Sequence, residues 1–212
     1  MAELLGPYDP VLYRNRELVS TPTSIPGLVV VDLVVHQDGR GWWKETFDAA
    51  HLEDIGLPAG FVPHRWCSNA SKKAGVTRGI HAELANKYVT LERGEILAVI
   101  VDLRRGEGFG GYERIHLTVG RGLLIPVGCG NSYQTLTDDV HYAYLTDQNI
   151  APTRPVTRVS LADPALAIAW PIPLEEATVL DEDRWNPTLS QVEPLDLAAL
   201  ANQANDHTYD RS

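Results

Sequence analysis

A chain of 212 residues with 44% hydrophobic content is long enough to bury one full core, and that length fits a single domain with extensions. The formal net charge of −10 disfavours a nucleic-acid partner, because counterion release needs a basic surface and the short basic clusters are only SKK (71–73) and DLRR (102–105). Apolar runs such as IPGLVVVDLVV (25–35), ILAVIVDL (96–103) and LLIPVG (123–128) fall short of the roughly 18 residues a spanning helix needs, so no membrane partner is expected. The start, MAELLGPYDP, has neither a basic n-region nor an apolar h-region, and the expected location is cytoplasmic. Cys67 and Cys129 stand far apart, outside any C-x-x-C pattern, and read as two reduced thiols rather than a disulfide or a zinc site.

In chain order, residues 1–23 read as an N-terminal extension, 24–190 as one domain and 191–212 as a C-terminal extension, the polar ends being either mobile or packed on a neighbouring subunit. Segments rich in Val, Ile, Leu and Thr recur between Gly, Pro, Asp and Asn turn signals at 28–35, 42–47, 87–92, 95–103, 112–118, 122–126, 132–137, 140–146 and 155–160. One helix is expected over 46–56, where Phe47, Ala50, Leu52 and Ile55 share a face and Gly56 caps the end. A second is expected from 191 to about 204, with helix formers following Pro194. Many short strands with regular turn signals describe a mainly β protein, a barrel or sandwich of jelly-roll type with a few short helices.

The stretch VTRGIHAEL (76–84) sets charged residues in an apolar, strand-like run. Strict alternation would place Arg78, Ile80 and Ala82 on one face, and Thr77, Gly79, His81 and Glu83 on the other. By itself this segment is explained as well by a core histidine bonded to a backbone carbonyl as by a catalytic one.

Further strings give the stretch a context. DGRGWWKETF (38–47), VTRGIH, NKYV, VDLRRG, AYLTD (143–147) and ADPALAIAWP (162–171) occur in this order. Together they resemble, over about residues 24–190, the dTDP-4-dehydrorhamnose 3,5-epimerase family, with its V-L-R-G-L-H, A-K-L-V, V-D-I-R-R-G and D-P-x-L-x-I-x-W-P segments. The resemblance implies a cupin-type jelly roll, a homodimer, no cofactor, and a dTDP-linked 4-keto-6-deoxysugar as substrate, inverted at carbons beside the ketone. Such a reaction needs a base at carbon, a cationic donor at the enolate oxygen and an acid on the opposite face. By the resemblance His81 is the base, Asp163 its dyad partner, Lys87 the enolate stabiliser and Tyr144 the acid. Arg78 would pair with diphosphate, and Arg40, Trp43 and Glu45 would supply nucleotide contacts, in part across the dimer. Taken without it, Asp163 is an Asp before Pro that starts a turn, Lys87 a solvated strand lysine, and Tyr142 competes with Tyr144.

The chain also departs from the family. PVGCGNSY (126–133) sets Asn131 where the family has histidine, leaving a substrate-binding amide that cannot relay a proton. DQNIAP (147–152) lacks the family's aromatics, Ala98 stands where an acid is frequent, and HRWCSNASKKAG departs in length and identity. A sugar 3,4-ketoisomerase, a non-catalytic sugar-nucleotide-binding cupin and a metal cupin using His81, His116 and His141 are the competing readings; AYLTD favours the epimerase over the ketoisomerase.

Overall fold

The computed structural model describes residues 18–48, 61–148 and 156–199. Two antiparallel sheets carry the fold. The first orders β1 (Val19–Pro22), β2 (Val29–Asp32), β10 (Arg121–Ile125), β7 (Lys87–Arg93), β12 (Val140–Thr146) and β5 (Arg65–Ser71). The second orders β13 (Thr157–Arg158), β6 (Val76–Ala82), β11 (Cys129–Thr135), β8 (Ile96–Asp102) and β9 (Tyr112–Leu117), with β14 (Thr178–Val179) parallel to β6. A separate hairpin pairs β3 (Val35–Asp38) with β4 (Gly41–Lys44). Among the described residues no helix is long and apolar enough to cross a membrane.

Alternation along these strands creates an interior between the sheets. Val89 and Leu91 of β7, Ile96, Ala98 and Ile100 of β8, Cys129 and Tyr133 of β11, and Val140 and Tyr142 of β12 meet in one buried cluster. Strand β8, ILAVIVD, is buried along its whole length because its other face is covered as well. There Leu97, Val99 and Val101 pack with Ile80, Val159, Leu161 and Leu166 of neighbouring and later segments. A central strand buried on both faces must read as a continuous apolar run, which explains why alternation is weak there.

The expected strands are present with two adjustments. The run at 28–35 breaks into β2 and β3, because Asp32 turns to the buried Arg121, whose Nε donates to Asp32 Oδ1 at 2.8 Å. The 42–47 strand forms β4 of the outlying hairpin. Three strands were not expected. β5, RWCSNAS, is a sheet-edge strand with little apolar content, β1 puts residues 19–22 into the first sheet rather than an extension, and β14 is a two-residue strand at 178–179. The expected helix over 46–56 falls mostly outside the described residues, and 46–48 have no regular structure. Of the helix expected over 191–204, residues 197–199 are helical and 200–204 lie outside the description. Residues past 190 pack on the domain, where Leu195 N–H donates to Leu103 O at 2.8 Å.

One irregularity corrects the expected alternation of VTRGIHAEL. Strand β11 pairs Asn131 with His81 and Tyr133 with Arg78, so two residues of β11 span three of β6. The register shift turns Arg78 and His81 to the same face, the interior one, instead of opposite faces. Gly79 permits it: its φ is +113°, and a Cβ there would lie 2.5 Å from Ser132 Cβ and 2.6 Å from Asn131 O. Gly79→Ala is expected to cost about 3 kcal/mol or more in urea unfolding, since both the backbone conformation and the close approach are lost.

Candidate active site

The site is the interior end of the two sheets where β6 passes into β7. His81, on β6, is a third exposed at its side chain. Directly opposite it, Asn131 donates from Nδ2 to the Tyr142 hydroxyl at 2.9 Å, which links the second sheet to the first across the interior. Tyr144 lies two residues along β12 from Tyr142 and on the same face, its ring centroid 5.9 Å from that of Tyr142. Lys87 opens β7 on the face of Val89 and Leu91, nearly buried, with Nζ 5.4 Å from the Tyr144 ring centroid. His81, Arg78, Asn131, Lys87 and Tyr144 are therefore brought to one concave surface.

Burial pushes the Tyr144 phenol well above the usual tyrosine range, helped by Cys67, its cross-strand neighbour, and by Glu83, with Arg65 opposing. Tyr144 thus holds its proton at neutral pH. Tyr142 is raised by burial in the same way, against the Asn131 hydrogen bond. Arg78 faces Tyr133, and its Nε is buried without a hydrogen-bond partner.

His81 is not paired with Asp163. Its Nε2 lies 2.7 Å from Oδ1 of Asp183, a buried carboxylate on the single-turn helix α1 (Asp181–Arg184). An ionised carboxylate only accepts, so in the neutral imidazole Nε2 carries the proton and Nδ1 the lone pair. Strand β6 explains how Asp183 reaches this place. Its outer edge pairs with β14 at Val76 and Thr77 and with β13 at His81 and Ala82. Between them Ile80 exchanges backbone hydrogen bonds with Val159, and the Gly79 N–H points to Asp183 Oδ2 at 3.4 Å. Helix α1 closes the gap that the two short strands leave on this edge.

Asp163 corrects the dyad expectation in favour of the turn reading. It is buried, accepts from the N–H groups of Ala165 (2.7 Å) and Leu166 (3.2 Å), and takes the Leu189 N–H at 2.5 Å. Its carboxylate is committed to backbone groups of the chain that covers the second sheet. Asp183 escaped sequence reading because DEDR within one turn has the pattern of a solvated acidic face; nothing local marks the central acid as buried.

Arg40, Trp43 and Glu45 are exposed and not part of this surface within one chain. Arg40 pairs with Asp38 of its own hairpin at 2.5 Å. The hairpin is anchored by the buried Lys44, whose Nζ donates to Leu91 O at 2.6 Å, at the end of β7 away from Lys87. His116 pairs instead with Glu95 at 2.8 Å and shares the outward face of Leu97, so it does not converge with His81. Among the described residues no group of three His, Cys, Asp or Glu side chains is placed to hold a metal ion.

Two packed antiparallel sheets of this order form a cupin-type scaffold, and solved structures of sugar-nucleotide epimerases share it. RmlC from Streptococcus suis, in complex with dTDP-D-xylose, superposes with a TM-score of 0.78 at 35% identity, covering 86% of this chain and 96% of that one. A double mutant of ChmJ, a 3'-monoepimerase from Streptomyces bikiniensis in complex with dTDP, superposes at 0.73 and 28% identity, covering 89% and 99%. The RmlC homolog of Streptococcus pyogenes serotype M6 is 37% identical over 177 residues, 81% of this chain and 89% of that protein. Residues 22–191 match the dTDP-4-dehydrorhamnose 3,5-epimerase family. The chain belongs to that family and is an isomerase.

The Asp163 geometry makes a direct prediction. Asp163→Ala leaves three N–H groups without their acceptor, that of Leu166 buried, and is expected to lower unfolding free energy by about 3 kcal/mol, read from urea denaturation.

Proposed function

We propose that this chain epimerises a dTDP-linked 4-keto-6-deoxysugar at C3, C5 or both, with His81 as base, Asp183 as its orienting partner, Lys87 at the enolate oxygen and Tyr144 as acid. The observation that carries this reading is the His81–Asp183 pair at 2.7 Å, set on the same interior surface as Lys87 and Tyr144.

In the reaction, Nδ1 of His81 takes the proton from the carbon beside the ketone. The C–H electron pair moves into the new carbon–carbon double bond and the carbonyl electrons onto O4, making an enolate. The ammonium of Lys87 stabilises the negative oxygen in a site where water is largely excluded. The imidazolium formed on His81 is stabilised by Asp183, whose acceptor also fixes the tautomer that leaves Nδ1 basic. Collapse of the enolate then takes a proton from the Tyr144 hydroxyl on the other face, inverting the centre. Solvent restores the phenol and accepts the proton from His81. Arg78 offers a planar fork to the diphosphate. Asn131 sits opposite the base with one amide proton given to Tyr142, which suits contact with the sugar better than proton relay.

The assembly inferred is a homodimer in which the β3–β4 hairpin, with Arg40, Trp43 and Glu45, reaches the nucleotide end of the partner's pocket. It is supported by the exposure of Trp43 and Arg40 on a hairpin that pairs with neither main sheet.

Incubation with dTDP-4-keto-6-deoxyglucose in deuterium oxide, followed by NMR, is expected to show solvent deuterium entering C3, C5 or both. His81→Asn should abolish exchange, and Asp183→Asn should slow it about 100-fold or more through loss of the required tautomer. Exchange at neither carbon, despite nucleotide binding, would overturn this reading in favour of a different substrate or a sugar-nucleotide-binding role. For the assembly, sedimentation equilibrium is expected to give twice the chain mass. Trp43→Ala should raise KM at least about fivefold with kcat little changed, as loss of uniform binding requires; a monomer with unaltered KM would contradict the hairpin's role.

A further inference from the structure

The turn from β6 to β7 holds a carboxylate that no step above uses. Glu83 follows the last residue of β6, and its Oε2 lies 3.0 Å from Lys87 Nζ, with 20% of the Glu83 side chain and 7% of the Lys87 side chain exposed. The two are within ion-pairing distance but lack hydrogen-bond alignment, and Oε2 is buried without a hydrogen bond. The ammonium is thus held by charge while its N–H bonds are left for another acceptor.

The turn itself is clamped. Asn86 receives Val127 N–H at its Oδ1 (2.9 Å) and donates from its backbone N–H and its Nδ2 to the two oxygens of Asp147, at 2.9 and 2.6 Å. Glu83 and Lys87 therefore flank a rigid link between the strand that carries the base and the strand that faces the acid. An ammonium taken this far out of water is strongly disfavoured without a counter-charge, and Arg78, which faces the same interior, adds repulsion. Glu83 supplies the counter-charge, and after burial it also contributes to the raised phenols of Tyr142 and Tyr144.

Building on the epimerase reading, we propose that Glu83 is a positioning residue for the reaction: its carboxylate holds the Lys87 ammonium at the interior surface, aimed at the substrate's keto oxygen. Glu83 acts through Lys87 and does not itself touch the reacting atoms.

The test is a double-mutant cycle on the deuterium-exchange rate, using Glu83→Gln, Lys87→Met and the pair, with Glu83→Asp as the variant that keeps the charge. Glu83→Gln is expected to lower the exchange rate at saturating substrate about tenfold or more, with KM and dTDP affinity within about threefold of the unmodified protein. In the Lys87→Met background the same change should cost less than about twofold. Glu83→Asp should retain more activity than Glu83→Gln. Equal losses in both backgrounds, a loss confined to KM, an unchanged rate, or an Asp variant no better than Gln would each overturn the proposal. Absence of exchange in the unmodified protein would instead overturn the epimerase reading, and the role of Glu83 with it.

Discussion

The site depends on how the outer edge of β6 is closed. A strand edge in a folded protein presents unpaired N–H and C=O groups, and natural structures cover them. Here two short strands, β13 and β14, cover the ends of β6. The space left between them at Gly79 and Ile80 is closed by Val159 and the turn of helix α1. That closure carries Asp183 to within 2.7 Å of His81. The closure that satisfies this backbone edge is thus the same one that sets a carboxylate against the His81 ring.

A second constraint acts on the other side of the same strand. Cross-strand pairing shifts register between Arg78 and His81, and close packing of Gly79 on Ser132 makes the shift possible. Without the extra residue, Arg78 and His81 would point to opposite faces of the sheet, one of them into the cluster around Ile80 and Leu97. Gly79 therefore lets Arg78 and His81 share one interior surface. The β6–β7 turn then completes the arrangement, crossing from one sheet to the other and setting Lys87 against Glu83 at the interior surface.

The departures from the family's sequence have identifiable structural consequences. Asn131 keeps its place opposite His81 but spends an amide proton on Tyr142, tying the two sheets together where a titratable group would stand in relatives. Ala98 lies in the buried apolar cluster, so the absence of an acid there leaves the interior beneath the site hydrophobic. Asp147, at the end of AYLTD, acts on the β6–β7 turn through Asn86. The changes alter the surroundings of this surface and leave His81, Lys87 and Tyr144 together on it.

The sequence by itself determined the strand-rich character and the approximate position of most interior strands, whereas His81, Lys87 and Tyr144 were singled out by the family resemblance and read alone fit a core histidine, a solvated lysine and one of two competing tyrosines. Alternation of side chains and turn residues are short-range properties, set by backbone geometry over a few positions, so they can be read locally. Tertiary structure decided the rest. Asp183 and Asp163 are both acids in turn-forming stretches, and no local pattern distinguishes the one that meets an imidazole from the one that meets three backbone N–H groups. The choice is made by which strand edge each segment covers, a contact spanning about a hundred residues of chain for Asp183 and His81. The same holds for Arg78, whose face is fixed by its pairing with β11 rather than by its own neighbours. Hydrogen-bond satisfaction and register are properties of the assembled sheet, and for that reason they became legible only once the sheet was seen.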